Sequence, residues 1–288
     1  MLSRRNLILS APLLALTRLS GAARNTVACQ VNAWFGMGGK KDVPFPELLA
    51  RVGDLKRLGY EAFECNIRFV QDQFPNAREA RALIQKTGVR FYGTHVGLRF
   101  NMEELEGWVK GAASIGAERF ALSGSGSVLA KDKQHLDPEA MRTKAESLNR
   151  LGAACKKAGL RLVYHNHGNE FMLNGAEIEE LLKQTDPGLV WLLLDLGHAY
   201  HEHADVVAFM SRHHERIDAL HLRDIKDKKQ VPLGQGELDW SGLAAVIRKT
   251  GWPGVLTLEE ENLQSDDDRF IQSVLKADRE MIRRTFGV

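Results

Sequence analysis

The polar residues that close short apolar runs in this chain are of the types that bind metal ions and move protons. His165 and His167 follow the apolar residues 162–164, and a spacing of two places both imidazoles on the same side of an extended backbone. Taken alone, such a pair is compatible with two hydrogen-bonded structural histidines. Three later apolar runs end in or contain residues of the same kind, namely Asp195, His221 and Glu259.

The residues in these three later runs indicate one divalent ion at a shared place. Asp195 directly follows the apolar residues 191–194, and burying a carboxylate is costly unless a cation or hydrogen-bond donors meet it. The alternatives are that Asp195 caps the next helix and that His221 is a satisfied core histidine. Nitrogen and oxygen ligands without a thiolate favour Mn²⁺, Zn²⁺, Co²⁺ or Fe²⁺ over Ca²⁺.

A recurring pattern of helix, glycine and apolar run predicts the elements that position these residues. A glycine that ends a helix before a buried strand is typical of alternating β/α units, whose strands lie parallel beneath helices. Eight strands are predicted, within VACQVNAWFG, LGYEAFECN, TGVRFYGTH, IGAERFALSG, AGLRLVYHNH, DPGLVWLLLDLGH, RIDALHLRD and TGWPGVLTLEE. Amphipathic periodicity predicts helices over residues 45–58, 77–87, 102–115, 138–158 and 205–213. The size and pattern predict the α/β class and a single (β/α)₈ TIM barrel over residues 24–288.

An open doubly wound sheet is the structural alternative to the barrel. Such a sheet usually carries a glycine-rich phosphate loop after its first strand. The glycines after the first strand here have neither the GxGxxG nor the GxxxxGK[ST] spacing, so a nucleotide-binding sheet is disfavoured. The long polar stretch 226–239 is interpreted as a rim loop rather than a domain boundary.

In a parallel barrel the carboxyl ends of all strands face one rim, so the polar residues after each apolar run become neighbours. Eight of the ten histidines lie between residues 165 and 221, which strengthens the expectation of a site at that rim. Glu170 is interpreted either as an orienting partner or as a solvent-exposed loop residue. The expected rim residues are Glu64, Asn66, His95, His165, His167, Glu170, Asp195, His198, His221, Arg223, Asp224, Glu259 and Glu261.

Charge and cysteine content argue against two other classes of protein. The chain has 39 basic and 37 acidic residues, and three of the arginines lie in the first 23 residues, where there is no acid, so the remainder is near neutral. A nucleic-acid-binding protein is usually distinctly basic, so we expect no nucleic-acid partner. The three cysteines make no disulfide framework, although one bond could form if Cys29 and Cys65 lie on neighbouring strands.

Residues 1–23, MLSRRNLILSAPLLALTRLSGAA, resemble a twin-arginine export signal. The twin arginine at Arg4 and Arg5 precedes an apolar stretch, and small residues follow it at 21–23. The apolar stretch is too short and too interrupted for a spanning helix, so we expect no stable membrane insertion. The resemblance implies the twin-arginine export machinery as a partner and a periplasmic location. Whether the chain forms a homo-oligomer is left open.

The region after residue 23 resembles the xylose isomerase-like TIM barrel family. That family holds sugar phosphate isomerases and epimerases, ketose 3-epimerases, hydroxypyruvate isomerase, inosose dehydratase and endonuclease IV. The resemblance is carried, in order along the chain, by LGYEAFE at the second strand, DLGH at the sixth, HLRD at the seventh, PLGQG with DW in the following loop and LEEE at the eighth.

The resemblance implies a metal held by Asp195, His221 and Glu259, with His198 and Arg223 on substrate oxygens. Substrate contacts from Glu64, Asn66 and His95 are expected at the same rim. Many relatives place a glutamate at the end of the fifth strand, where this chain has His165. His165 is therefore expected to be the fourth ligand or, with His167, the general base. Glu259 would bind the metal and return the proton.

The resemblance implies a metal-dependent isomerase or epimerase that acts on a small keto-sugar or polyol through an enediolate. Because the fifth-strand glutamate is missing, a dehydratase or lyase that eliminates water or an alkoxide is the alternative. A non-catalytic sugar-binding barrel and an endonuclease IV-like phosphodiesterase are the remaining hypotheses. The endonuclease would need several metals and a basic face, which the near-neutral charge does not provide.

Overall fold

The eight apolar runs form one closed barrel of parallel strands in the computed structural model, as predicted. The structure describes residues 24–36, 43–97, 101–123, 128–261, 263 and 265–288, and the segment expected to be an export signal lies outside them. The barrel strands, in order, are β1 (Thr26–Gln30), β2 (Ala62–Asn66), β3 (Arg90–Gly97), β4 (Arg119–Ser123), β5 (Arg161–His165), β6 (Val190–Asp195), β7 (Ile217–Leu222) and β10 (Val255–Leu258). β10 pairs with β1 and closes the barrel.

Helices alternate with the barrel strands and cover the outside of the barrel. The five predicted helices are present, and each begins and ends within one residue of its prediction. The helices are α1 (Asn32–Phe35), α2 (Phe45–Arg57), α3 (Ala77–Thr87), α4 (Met102–Ser114), α5 (Pro138–Lys157), α6 (Met172–Gln184), α7 (Leu196–His201), α8 (Val206–His213), α9 (Trp240–Thr250) and α10 (Asp268–Phe286).

The side chains of each strand alternate between the barrel interior and the layer beneath the helices, as a period of two requires. The interior is filled by one small cluster, and the larger apolar cluster lies between strands and helices. Val163, Leu193 and Ala219 belong to the interior cluster, so the residues two positions later point inward above them. The members of the interior cluster are Ala28, Ala62, Tyr92, Ala121, Val163, Leu193, Ala219 and Val255.

The register between neighbouring strands sets which polar residues meet at the carboxyl end. Ser123 pairs with His165 across β4 and β5, and Asp195 pairs with His221 across β6 and β7. Glu259 follows β10 directly, and its amide donates to the carbonyl of Leu222. The rule that parallel strands collect their ends at one rim therefore holds for these residues.

The stretch 226–239, interpreted from the sequence as a rim loop, contains regular structure at its start. It contains part of a hairpin formed by β8 (Asp224–Lys226) and β9 (Lys229–Val231), whose turn residues Asp227 and Lys228 both have positive φ. Asp224 holds the following loop, because its carboxylate accepts hydrogen bonds from the amides of Gly234 and Gly236 and from the indole of Trp240. The loop is thus an ordered wall beside the rim.

The cysteines lie where a disulfide was considered but do not form one. Cys29 and Cys65 lie on the adjacent strands β1 and β2, and both thiols are free and buried, as is that of Cys155. Burial raises the pKa of the Cys65 thiol well above its usual range and that of Cys155 to about 12, so these thiols are inert hydrophobic residues. Among the described residues, no helix is long and apolar enough to span a membrane.

Two glycines of α4 provide a test of the helix packing. A Cβ at Gly111 would overlap the ring of Phe74, whereas a Cβ at Gly107 meets no described atom within 4 Å. We expect Gly111→Ala to lower the free energy of unfolding by about 1–3 kcal/mol through overpacking. Gly107→Ala should raise it by up to about 1 kcal/mol through helix propensity. Urea unfolding of both variants measures the contrast, and equal effects would contradict this packing.

Candidate metal centre

Four side chains from the last four barrel strands meet at the carboxyl end of the barrel. They are His165, Asp195, His221 and Glu259, and each offers one ligand atom within 4.8 Å of the others. All four residues are buried, with at most 3% of their surface exposed. The sequence expectation that these four residues lie together is met by this geometry.

The donor atoms of the four residues face a common centre. His221 Nδ1 lies 2.5 Å from Glu259 Oε2, and His165 Nε2 lies 3.5 Å from Asp195 Oδ2 and 3.9 Å from the same Glu259 oxygen. His221 Nδ1 and Glu259 Oε2 are buried and have no hydrogen bond of good geometry within the described part of the chain. Buried nitrogen and oxygen atoms that converge without hydrogen bonds of good geometry are a ligand set that fits a divalent cation.

Glu64 lies behind His221 rather than on the cavity wall. Its side chain is fully buried, and its carboxylate lies 3.5 Å from His221 Nε2 and contacts His95 Nε2. Burial opposes its ionisation, but His95 and His221 lower the pKa of Glu64 to about 2. Glu64 therefore does not line the cavity where the expected contact with substrate would be made. An ionised Glu64 instead accepts from His221 Nε2–H, which leaves His221 Nδ1 free as a ligand.

Asp195 both caps a helix and points a carboxylate oxygen at the centre. Its Oδ1 accepts a hydrogen bond of 2.7 Å from the amide of His198 at the start of α7, so the helix-cap interpretation is correct. Its Oδ2 faces His165 and Arg223. Burial opposes ionisation, but Arg223 and His198 hold the pKa of Asp195 below its usual range. One oxygen thus fixes the side chain while the other remains available.

Arg223 is the cation that neutralises the carboxylates of the centre. Its Nε lies 3.2 Å from Asp195 Oδ2, and its Nη2 lies 2.9 Å from Glu259 Oε2 and 3.0 Å from Glu261 Oε2. Burial and the charge of Glu259 raise the pKa of Glu261 to about 8, although Arg223 opposes the rise. Arg223 is therefore held in place by three carboxyl groups at once.

The cavity above the centre is lined almost entirely by polar side chains. Three of them follow strand ends that the sequence analysis did not use or used only as rim residues: Asn32 after β1, Ser123 at the end of β4 and Glu261 after β10. Glu261 is one of the predicted rim residues, and the same strand-end rule would have found Asn32 and Ser123. The full lining is Asn32, Asn66, His95, Ser123, His165, His167, His198, Arg223, Glu259 and Glu261.

A wall of imidazoles forms one side of this cavity. The His167 ring lies 5.1 Å from His165 and 4.9 Å from His198, measured between ring centroids, and His95 lies 5.0 Å from His165. Burial, followed by the charge of His198, lowers the pKa of His167. A neutral imidazole at this wall can accept a proton.

The histidine count overstated the crowding, because His201, His203, His213 and His214 do not line this cavity. His213, for example, contacts Glu179 on the outer helices at 3.0 Å.

Glu170 does not reach the cavity, and it is not exposed either. Its side chain is fully buried and is bonded to the hydroxyl of Tyr164 and to the amide of His167. The interpretation as a solvent-exposed loop residue is wrong, and a direct contact with substrate is excluded by its burial. The other interpretation of Glu170, as a residue that orients its neighbours, is compatible with these contacts.

The buried state of His165 predicts how stability depends on pH. Burial lowers the pKa of His165 to about 3, although Asp195 opposes the change, whereas an unfolded histidine has a pKa of about 6.5. Between these values the unfolded chain binds a proton that the folded chain does not, so stability falls as the pH drops.

In metal-free protein, the free energy of unfolding of the wild type should fall faster with acid than that of His165→Gln, by up to about 1.4 kcal/mol per pH unit. Urea unfolding between about pH 6.5 and 4 measures both slopes. Parallel slopes for the two proteins would show that His165 does not remain neutral in the fold.

Comparison with known proteins identifies the family of the chain. An inosose dehydratase from Clostridium perfringens (strain 13 / Type A) is 32% identical over 149 residues, which are 45% of this chain and 50% of that protein. The aligned part thus spans about half the length of that relative. The structure of 3-keto-D-glucoside 4-epimerase, YcjR, from E. coli superposes with a TM-score of 0.68 at 17% identity, over 89% of this chain and all of that one.

The structure of the IOLI protein with a bound zinc atom has a TM-score of 0.70 at 12% identity, over 91% of this chain and 98% of that one. At these identities the two structural neighbours show the fold alone. The family model of the xylose isomerase-like TIM barrel matches residues 52–284, which is most of the chain. The chain belongs to the xylose isomerase-like TIM barrel family.

Proposed function

We propose that the chain is a divalent-metal-dependent enzyme that removes a proton next to the carbonyl of a small keto-sugar or of an oxidised polyol that carries a ketone. The observation that carries this proposal is the buried group His165, Asp195, His221 and Glu259, whose ligand atoms lie within 4.8 Å of one another. Mn²⁺, Zn²⁺, Co²⁺ and Fe²⁺ suit such mixed nitrogen and oxygen ligands. Reprotonation of the substrate would make the enzyme an isomerase or epimerase.

The four ligands assign the remaining residues to substrate binding and proton transfer. A bound divalent cation would supply Lewis acidity that withdraws electron density from a carbonyl oxygen and acidifies the neighbouring C–H. His198, Asn66 and His95 line the cavity and would donate to or accept from substrate oxygens. His167, which lies outside the ligand group, would take the proton at its imidazole.

Arg223 and Glu259 would act on the charge that develops in the reaction. The guanidinium of Arg223 lies at the cavity and is fixed by three carboxyl groups, so it needs no reorganisation to face a developing oxyanion. Glu259 contacts both Arg223 and His221, and it would return the proton to the substrate.

Dehydration is the second candidate, and a specific observation favours it. His165 stands where many relatives have a glutamate, so the pair of carboxylates that exchanges protons on two faces of a substrate carbon is incomplete. The imidazoles of His165, His167 and His198 instead form one wall, and adjacent groups on one wall suit removal of a proton and a hydroxyl from the same face. The similarity to an inosose dehydratase over half of that protein supports the same outcome.

The charges around the cavity favour an unphosphorylated substrate. Within the described part of the chain, the cationic side chain that lines the cavity is Arg223, and its charge is already matched by the carboxylates of Asp195 and Glu259. A phosphate would need further positive charge, whereas the amide, hydroxyl and imidazole groups of the wall suit the hydroxyls of a neutral sugar. A periplasmic location, implied by the resemblance of residues 1–23 to an export signal, is part of this proposal.

A metal-binding measurement with a matched histidine control tests the ligand set. We expect His165→Ala and Asp195→Ala each to weaken Zn²⁺ binding by at least about 100-fold, because loss of a direct ligand lowers the metal affinity more than loss of a residue that only contacts a ligand. His167→Ala removes a neighbouring imidazole that is not a ligand and should change the affinity by less than about threefold. Titration calorimetry on folded variants, checked by circular dichroism, gives the affinities. Undiminished binding by Asp195→Ala would mean that the ligand set is wrong.

Exchange of substrate hydrogen with solvent tests the reaction class. The Mn²⁺-loaded protein is incubated in D₂O with neutral ketoses, 3-keto-glycosides and inososes, alongside the corresponding ketose phosphates. Deuterium next to the carbonyl indicates isomerisation or epimerisation, and loss of a β-oxygen indicates dehydration. We expect one of these with a neutral substrate, and a decrease of about 100-fold or more in His167→Ala. If every compound remained unchanged, a sugar-binding barrel without catalysis would replace the proposal.

A further inference from the structure

A buried group of four side chains connects two outer helices to the imidazole wall of the cavity without lining that cavity. We call it the lysine network: Lys144 on α5, Glu177 on α6, Tyr164 on β5 and Glu170 in the turn after β5. Of these, the sequence analysis singled out Glu170 alone. Lys144 lies among the buried residues of the apolar face of α5, between Met141 and Leu148. A charged residue on an apolar helix face is the sequence feature that could have indicated this buried group.

Lys144 is almost fully buried, which is rare for a lysine. Its side chain is 4% exposed, and its Nζ lies 2.5 Å from Glu177 Oε1 and 3.5 Å from Glu170 Oε1. The same ammonium lies 5.0 Å from the centre of the Tyr164 ring. Burying a lysine and two carboxylates costs free energy that a well-packed apolar group would avoid. Such an arrangement is better explained by geometry that it fixes than by stability.

Glu170 is the member that reaches the imidazole wall. Its Oε1 accepts a hydrogen bond of 2.6 Å from the Tyr164 hydroxyl, and its Oε2 accepts one of 2.9 Å from the amide of His167. With both oxygens engaged, the carboxylate has one orientation, and it ties the backbone at His167 to β5. The His167 ring is thereby held between His165 and His198.

We propose that Glu170 and Lys144 are positioning residues for His167: Glu170 fixes the backbone of His167, and Lys144 fixes Glu170. Lys144 Nζ lies 3.5 Å from Glu170 Oε1, the same oxygen that accepts from the Tyr164 hydroxyl, and so it restrains the carboxyl group from the side of α5. Glu177 lies one step further from His167, because its recorded side-chain bond within the network is to Lys144. The consequence for proton transfer rests on the proposed function, whereas the positioning itself does not.

The chemical reactivity of His167 tests the positioning without any assay of activity. Diethyl pyrocarbonate modifies accessible imidazoles, and peptide mass spectrometry gives the rate at His167 relative to the exposed His201 in the same sample. We expect Glu170→Gln and Lys144→Met each to raise this ratio about fivefold or more, because the turn at His167 opens more often. Glu170→Gln is nearly isosteric, so it remains informative if Lys144→Met does not fold.

Glu177→Gln is the matched control, because it disturbs the same buried pair as Lys144→Met but leaves Glu170 bound to His167. Its ratio should stay within about twofold of the wild type. If the ratio in Glu177→Gln rose as far as in Lys144→Met, the network would be a packing element of α5 and α6, and the proposal would fail. An unchanged ratio in Glu170→Gln would also overturn it.

A kinetic arm connects the positioning to catalysis. With a substrate that the wild type converts, Glu170→Gln should lower kcat by about tenfold or more, with KM and metal content little changed, because a misplaced base slows the chemical step. An unchanged kcat alongside a raised modification ratio would refute the catalytic consequence. If the wild type converts no substrate, the proposed function fails, while the modification ratios still decide the positioning.

Discussion

The burial of carboxylates at the carboxyl end of the barrel is the constraint on which the rest of the site depends. The residues Asp195, Glu259 and Glu64 carry these carboxylates and are at most 2% exposed. Removing ionised carboxylates from water costs on the order of several kcal/mol each unless charges of opposite sign lie beside them. Arg223 and His221 meet them, and the pKa values of all three carboxyl groups are lowered as a result. The geometry around His221 is therefore fixed before any ligand binds.

The barrel supplies the positions that these charges require. Along β5, β6 and β7 a small or apolar residue points inward, and a polar residue two positions later points inward at the rim. Val163 precedes His165, Leu193 precedes Asp195 and Ala219 precedes His221 in this way. The interior cluster thus forms a floor beneath the charged layer, and the parallel register brings the charged residues of adjacent strands together.

Sequence periodicity was sufficient for the fold and for which strand ends meet, because strand alternation and parallel pairing are local rules with one geometric outcome. Periodicity does not predict which of these polar side chains line the cavity and which are buried behind it. Glu64 lies within β2, where the register with β3 shifts beside it, and its carboxylate lies behind His221. Glu170 lies one turn after His165 and is drawn inward by Tyr164 and Lys144, a helix residue more than 20 positions away. Tertiary contacts of that kind leave no pattern within a single strand.

Anomalous diffraction from crystals soaked with Zn²⁺ tests the central claim most directly, namely that the last four barrel strands hold one catalytic cation. The account predicts one strong peak bound by His165, Asp195, His221 Nδ1 and Glu259, at about 2.0–2.2 Å from each donor atom. It also predicts that Glu64 stays bonded to His221 Nε2 behind the ion. A peak elsewhere, or a metal-free centre at saturating Zn²⁺, would contradict the account.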